Sequence, residues 1–180
     1  MKGLVFTEFM ELVESKFGED MVDDLIDETN PASDGAYTTV GTYDHQELID
    51  MVVVLSERVD VPVPDLVNVF GNHLAEVFAT KFKGFFDESS STIEFLKSID
   101  NHIHVEVLKL YPDAELPEFS FDDSNPDAFQ LNYRSTRGFA DLAHGLIQGT
   151  AKYYGEDITI NRADSVNGDY HETTFSITHN

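Results

Sequence analysis

Near the start of the chain apolar residues return every three or four positions, at Val5, Phe9, Leu12, Val13 and Phe17. Glu8, Glu11 and Glu14 interrupt them and Gly18 ends the series. This spacing predicts an amphipathic helix closed by a glycine. EDMVDDLIDETN continues with helical character, and PASDGAYTTVGTYD is so rich in turn formers that it reads as a loop. Helical spacing resumes through Leu48, Met51, Val52 and Leu55. VPVPDLVNVFGNHLAEVFATKF opens with Pro64 and Asp65, a favourable first turn, and keeps Leu66, Phe70, Leu74, Val77 and Phe78 on one stripe. Gly71 interrupts that helix at a cost of about 1 kcal/mol relative to alanine, so close packing or a bend is expected there. FKGFFDESSS reads as a loop, and a further helix is expected from about Thr92 to Tyr111.

After Pro117 the period falls to two. EFSF, and then Phe129, Leu131 and Tyr133 alternating with Gln130 and Asn132, read as strands. Phe139, Leu142, Ala143, Leu146, Ile147 and Tyr154 mark one more helix, and DITINR and YHETTFSITH close the chain as two further strands. Helices, two strands, a helix and two strands predict an α+β fold with an antiparallel sheet. At 180 residues, with no repeat, low-complexity tract or evident linker, a single domain spanning 1–180 is expected.

Charge narrows the partners. Against 11 Lys and Arg stand 34 Asp and Glu, a net charge of −23 that repels phosphate backbones and anionic lipid, so neither nucleic acid nor a membrane is expected. No run is long and apolar enough to cross a bilayer, and the glutamates of the first helix exclude a signal peptide. The lack of cysteine removes disulfides, thiolate metal sites and a cysteine nucleophile. A soluble cytoplasmic protein is the expectation. The 14 Phe and 7 Tyr could line a large apolar pocket or simply fill a core.

Two segments carry candidate chemistry. The first is SIDNHIHVEVLKLYPDAELP, with His102 and His104 two positions apart. On a helix such residues point about 200° apart and cannot chelate one ion together. His102 shares its face with Ser98, Glu106 and Lys109 and is expected to face solvent. His104 lies beside the stripe of Leu96, Ile99, Ile103 and Leu110 and is expected to be partly buried, either as a hydrogen-bonded core residue or as a ligand. No HxxxH or HExxH spacing supports a zinc site. A site needing a single protein ligand remains open, and haem iron is such a case.

The second segment is LNYRSTRGFADLAHGLI. Tyr133, Ser135 and Arg137 at i, i+2 and i+4 share one face of an extended chain and present two hydroxyls and a guanidinium. That set suits carboxylates, which a guanidinium can grip in bidentate fashion. Arg137 could equally form a salt bridge to one of the chain's many acids, or the set could hold haem propionates, another dicarboxylate or a phosphate.

Together these residues resemble the haem nitric-oxide/oxygen-binding (H-NOX) family, related to the haem domain of soluble guanylate cyclase. Tyr133, Ser135 and Arg137 reproduce its YxSxR motif, and His104 with Val107 its HxxV motif. MKG, FGNHLAEVF, LYPDAELP and GLIQGTAKYYGEDITI are also similar, so the resemblance spans nearly the whole chain, as in a bacterial stand-alone member.

The resemblance implies a mostly helical distal part, about residues 1–60, and a proximal part, about 61–180, with a four-stranded antiparallel sheet and haem b (iron protoporphyrin IX) between them. It implies His104 as the axial iron ligand, Tyr133, Ser135 and Arg137 as the propionate clamp, and Pro117 as the residue that distorts the porphyrin. Where oxygen-binding members place a distal tyrosine this chain has Leu142, and neither neighbour, Asp141 or Ala143, is a tyrosine. Val5, Phe9, Leu74, Phe78 and Leu146 complete an expected apolar distal pocket. Selection of NO, with CO binding and little or no O2, follows as an expectation.

The implied role is sensing rather than catalysis. NO weakens or breaks the bond to His104, strain held by Pro117 and the porphyrin is released, and a separately encoded histidine kinase or cyclic-di-GMP enzyme responds. The alternatives are a haem enzyme, which needs a distal acid–base group, and a haem-free interaction or carboxylate-binding domain. His73, the nearest acid–base candidate, points off the stripe of Leu74 and Phe78. Some members carry a cysteine-containing zinc site near the C-terminus, which this chain lacks the thiols to form.

Overall fold

In the computed structural model, which describes residues 1–125 and 128–180, the opening MKG has a steric reason. Gly3 begins α1 (Gly3–Phe17), and a Cβ there would run into the Thr38 carbonyl oxygen. The contact exists because the 30–44 loop folds back on the start of α1: Gly3 N–H donates to Gly41 O at 2.8 Å, and Tyr43 N–H to Met1 O at 2.9 Å. Phe6 stacks on Tyr37 from the same loop, with ring centroids 4.5 Å apart. α2 (Glu19–Thr29) ends at Asn30 in the left-handed conformation, and the Asp44 side chain caps α3 (His45–Val59) by accepting from Gln46 N–H. Phe6, Phe9, Val13, Leu25, Leu48, Met51, Val52, Leu55 and Phe70 are the buried apolar residues of this unit, residues 1–70. α4 (Val63–Lys81) contains the division between it and the second unit, residues 71–180.

The second unit is built on a four-stranded sheet of order β1-β2-β4-β3, every neighbouring pair antiparallel. Its strands are β1 (Glu118–Asp122), β2 (Phe129–Ser135), β3 (Ile158–Asn167) and β4 (Tyr170–His179). Alternation puts Phe129, Leu131 and Tyr133 of β2 on the buried face, opposite Ile177, Phe175 and Thr173 of β4. α8 (Ala140–Tyr154) contributes Ala140, Ala143 and Ile147 to the same core, joined by Phe86, Phe95 and Leu96. Burying a side chain such as Phe175 contributes about 1.5–3 kcal/mol. The α+β architecture with an antiparallel sheet matches the expectation from the sequence.

α4 and α8 cross on small residues. A Cβ on Gly71 would lie 3.0 Å from Gly145 Cα and from Leu146 N, and one on Gly149 would lie 3.0 Å from Asn72 O. Gly71 therefore reflects close packing.

Two expectations are corrected. FKGFFDESSS contains a short helix, α5 (Lys83–Asp87), held by an i,i+4 pair from Lys83 to Asp87 at 2.5 Å and by burial of Phe86, which stacks on Phe95 at 4.3 Å. The helix expected over Thr92 to Tyr111 is not uniform. It comprises α6 (Thr92–Ser98), a π-helical turn over Ile99–Ile103, and α7 (His104–Leu110). His104 N–H reaches back five residues to Ile99 O, so one extra residue is accommodated immediately before His104. No helix among the described residues is long and apolar enough to cross a membrane.

Candidate haem site

The second unit brings the two informative segments together through one phenylalanine. Phe119 on β1 pairs in register with Tyr133 on β2, their rings 5.6 Å apart. On its other side the Phe119 ring is 5.8 Å from that of His104. The imidazole at the head of α7 and the hydroxyls at the end of β2 thus belong to one ring-lined cluster.

The two histidines differ as their helix faces do. The His102 side chain is 44% exposed and pairs with Glu88 at 2.8 Å, whereas that of His104 is only 15% exposed. Burial pushes the His104 imidazole below its ordinary range, and the nearby Asp100 carboxylate opposes that shift. His104 Nδ1 lies 3.4 Å from Asp100 Oδ1, which also accepts from Phe119 N–H at 3.3 Å. With its proton on Nδ1, the ring directs that N–H to the carboxylate and keeps the Nε2 lone pair for a metal.

The arginine motif ends in a tight turn. Arg137 N–H donates to Ser135 Oγ at 3.1 Å, Phe139 N–H donates to Tyr133 Oη at 3.1 Å, and Gly138 between them has φ +64°. Tyr133 is buried, and burial raises its pKa, against the opposing pull of the Ser135 hydroxyl and the Phe139 N–H. The phenol therefore stays protonated, and its oxygen accepts the Phe139 N–H and meets the Ser135 hydroxyl, so the pair keeps O–H donors suited to an acceptor such as a carboxylate.

The Arg137 guanidinium forms an ion pair with Glu115, so the salt-bridge alternative raised by the sequence is realised. That pair is lopsided: the arginine side chain is 16% exposed and the glutamate 76%. A carboxylate so close to water loses little by returning to it, while an enclosed guanidinium needs an anion. Exchange of Glu115 for another carboxylate is therefore inexpensive.

The donor set fits a haem: an imidazole held neutral, with a backing carboxylate, and a hydroxyl–guanidinium turn suited to carboxylates. Pro117 is half-buried just before β1. On the expected gas side, Leu74 is buried and Phe78, Leu142 and Leu146 are half-buried in the second unit, while Val5, half-buried, and Phe9, buried, lie in the first. Missing from the sequence reading were Asp100 as the partner of His104, and Glu115, Phe119 and His171 around the clamp. The i,i+4 spacing from Asp100 to His104 carried a signal for the first; the others depend on strand register and loop path.

A family model described as haem-NO-binding matches residues 2–162. The chain belongs to the H-NOX family. An H-NOX protein from K. algicida in the Fe(II) unliganded state is 37% identical with a TM-score of 0.92, over 100% of this chain and 97% of that one. An H-NOX from Shewanella woodyi, IWP-051-bound and in the Fe(II)CO state, is 43% identical with a TM-score of 0.85, over 100% of this chain and 95% of that one. An H-NOX protein from S. oneidensis in the Fe(II)NO state shares the fold, with a TM-score of 0.88 at 24% identity, over 99% of this chain and 100% of that one. No curated protein matches the sequence significantly. H-NOX domains are haem-based gas-binding sensor domains, and haem is the group this family binds.

Proposed function

We propose that this H-NOX chain is a cytoplasmic, non-enzymatic sensor of nitric oxide. His104 would supply the iron ligand for haem b, Tyr133, Ser135 and Arg137 would hold its propionates, and Pro117 would be the residue that distorts it. When bound, the haem supplies the ferrous iron at which a diatomic gas is taken up. The observation that carries the reading is the cluster in which Phe119 links a neutral, carboxylate-backed His104 to the Tyr133–Phe139 turn.

The chain's side chains set the gas preference. Leu142 offers no hydrogen-bond donor, and Val5, Phe9, Leu74, Phe78 and Leu146 are apolar as well. Dioxygen gains much from a distal donor, whereas NO and CO do not need one, so NO and CO are retained and O2 is held poorly. The distal part is assigned to about residues 1–60 and the proximal part to about 61–180. The signal passes to a separately encoded histidine kinase or cyclic-di-GMP enzyme, and gas can shift that equilibrium only by its differential affinity for two states of the chain. The ion pair between Arg137 and Glu115 favours a second reading, a haem-free domain in which Arg137 is structural.

Absorption spectra separate the two. The purified chain reconstituted with haem should show a Soret band, His104→Gly should lose it unless imidazole is supplied, and His102→Ala should keep it. No Soret band in the wild type would favour the haem-free reading, and a stable complex of ferrous haem with O2 in air would overturn the preference for NO.

A further inference from the structure

His171, itself exposed, continues the alternation of the buried Thr173, Phe175 and Ile177 to the start of β4. Its partner across the ladder is Ser135 of β2, and directly opposed residues of an antiparallel pair project from the same face. His171 therefore shares the face of Tyr133 and Ser135, two of the three clamp residues. No haem contact is assigned to it by the YxSxR motif.

The position of its ring is specific. A Cβ built on Gly138 would lie 3.3 Å from His171 Cδ2 and 3.4 Å from both Cε1 and Cγ. Three ring atoms at nearly equal distance mean that the imidazole turns its flat face toward the point where a Cβ on Gly138 would stand. Gly138 is the left-handed residue of the clamp turn, and its neighbours are tied by Arg137 N–H to Ser135 Oγ and by Phe139 N–H to Tyr133 Oη. Those two bonds hold the residues on either side, and the imidazole borders the exposed glycine on the side where a Cβ would project. Glycine at such a position has more conformational freedom to lose than any other residue, so a contact that restrains it acts on the whole turn.

The geometry points to His171 as a positioning residue of the clamp: its ring, facing the Cβ side of Gly138 beside Ser135, limits the movement of the turn from which Arg137 and Tyr133 address the cofactor's carboxylates. This rests on the haem reading above. The contact is one of shape, so another flat ring should replace it, while a small side chain should not.

The test measures haem loss from the loaded protein to excess apomyoglobin, with iron protoporphyrin IX and with its dimethyl ester, whose carboxylates are masked. His171→Ala should lose iron protoporphyrin IX about tenfold faster than wild type, the low end for removing a contact behind a ligand-binding side chain. It should lose the ester at the wild-type rate, and His171→Phe should restore retention of the free acid. Equal acceleration with both porphyrins, no acceleration, or failure of His171→Phe to rescue would each overturn the assignment. A wild type that takes up no haem would overturn the haem reading and this inference with it. Normal wild-type uptake with an unaltered His171→Ala overturns only the inference.

Discussion

Replacing Asp100 with asparagine removes one charge beside His104 and leaves the shape nearly unchanged. The carboxylate faces Nδ1 at 3.4 Å and also accepts from Phe119 N–H, a bond the asparagine oxygen can keep. Loss of a partner behind a metal-bound imidazole typically costs about 10–100-fold in metal affinity. The low end applies here for two reasons. The separation exceeds the about 3.2 Å limit of a good N–H···O bond, and the Asp100 side chain is half exposed, so water screens its charge. The expected cost is therefore about tenfold, or ~1.4 kcal/mol. Haem transfer to apomyoglobin from Asp100→Asn should be about tenfold faster than from wild type. The iron–histidine stretching band in the ferrous resonance Raman spectrum should move to lower frequency, because a neutral partner withdraws less of the Nδ1 proton. Wild-type transfer with an unmoved band would refute the reasoning that Asp100 supports His104.

Two further outcomes follow from groups around this core. Glu115→Gln should lower the thermal stability of the haem-free chain, because the enclosed Arg137 loses its anion, yet slow haem loss by up to about fivefold, since a pair with one exposed end is worth at most about 1 kcal/mol. Faster haem loss from Glu115→Gln would show that Glu115 supports the clamp rather than competing for it. His144 lies against Phe175, and its pKa is lowered by burial first and then by the Arg162 charge, with Asp141 and Asp164 opposing. Its folded pKa lies below the unfolded value, so its contribution is fully present above about pH 6.5 and is lost as the pH falls. Melting temperatures from pH 7.5 down to 5.5 should fall more steeply for wild type than for His144→Gln, and parallel slopes would reject the assignment.

How far the sequence carried the fold depended on the range of the interactions. Val5 to Phe17 and Leu48 to Leu55 form helices whose apolar faces repeat locally, and their stops at Gly18 and Val59 follow from neighbouring residues. The π-helical turn before His104 left no comparable mark, since one residue added to a turn moves the stripe by a single position. α5 was missed because five residues with Gly84 among them have little helical propensity, and the burial of Phe86 supplies what propensity lacks. β3 runs on to Asn167 through polar residues that pair with β4 and show no alternation of their own. At the site, the types Tyr133, Ser135 and Arg137 were legible from their spacing. His171 was not, because β2 and β4 meet only through a register set some forty residues apart in sequence.

The charge balance gives Arg137 its significance. A chain with a net charge of −23 is an unfavourable host for a dicarboxylate unless it sets aside a cation for it. All four arginines are engaged with acids: Arg58 with Asp24 and Glu28, Arg134 with Glu118, Arg162 with Asp141 and Asp164, and Arg137 with Glu115. Engagement alone therefore does not mark a binding residue. What separates Arg137 is that it is the least exposed of the four while its partner is the most exposed of those acids. The pairs of the other three arginines join groups of more similar exposure, and breaking them strands both partners to a more similar degree. In the Arg137 pair the cost of separation falls almost wholly on the guanidinium, and any carboxylate that reaches it removes that cost. Held by a turn whose backbone N–H groups donate to Ser135 and Tyr133, Arg137 is the arginine of this acidic chain best arranged to exchange its partner.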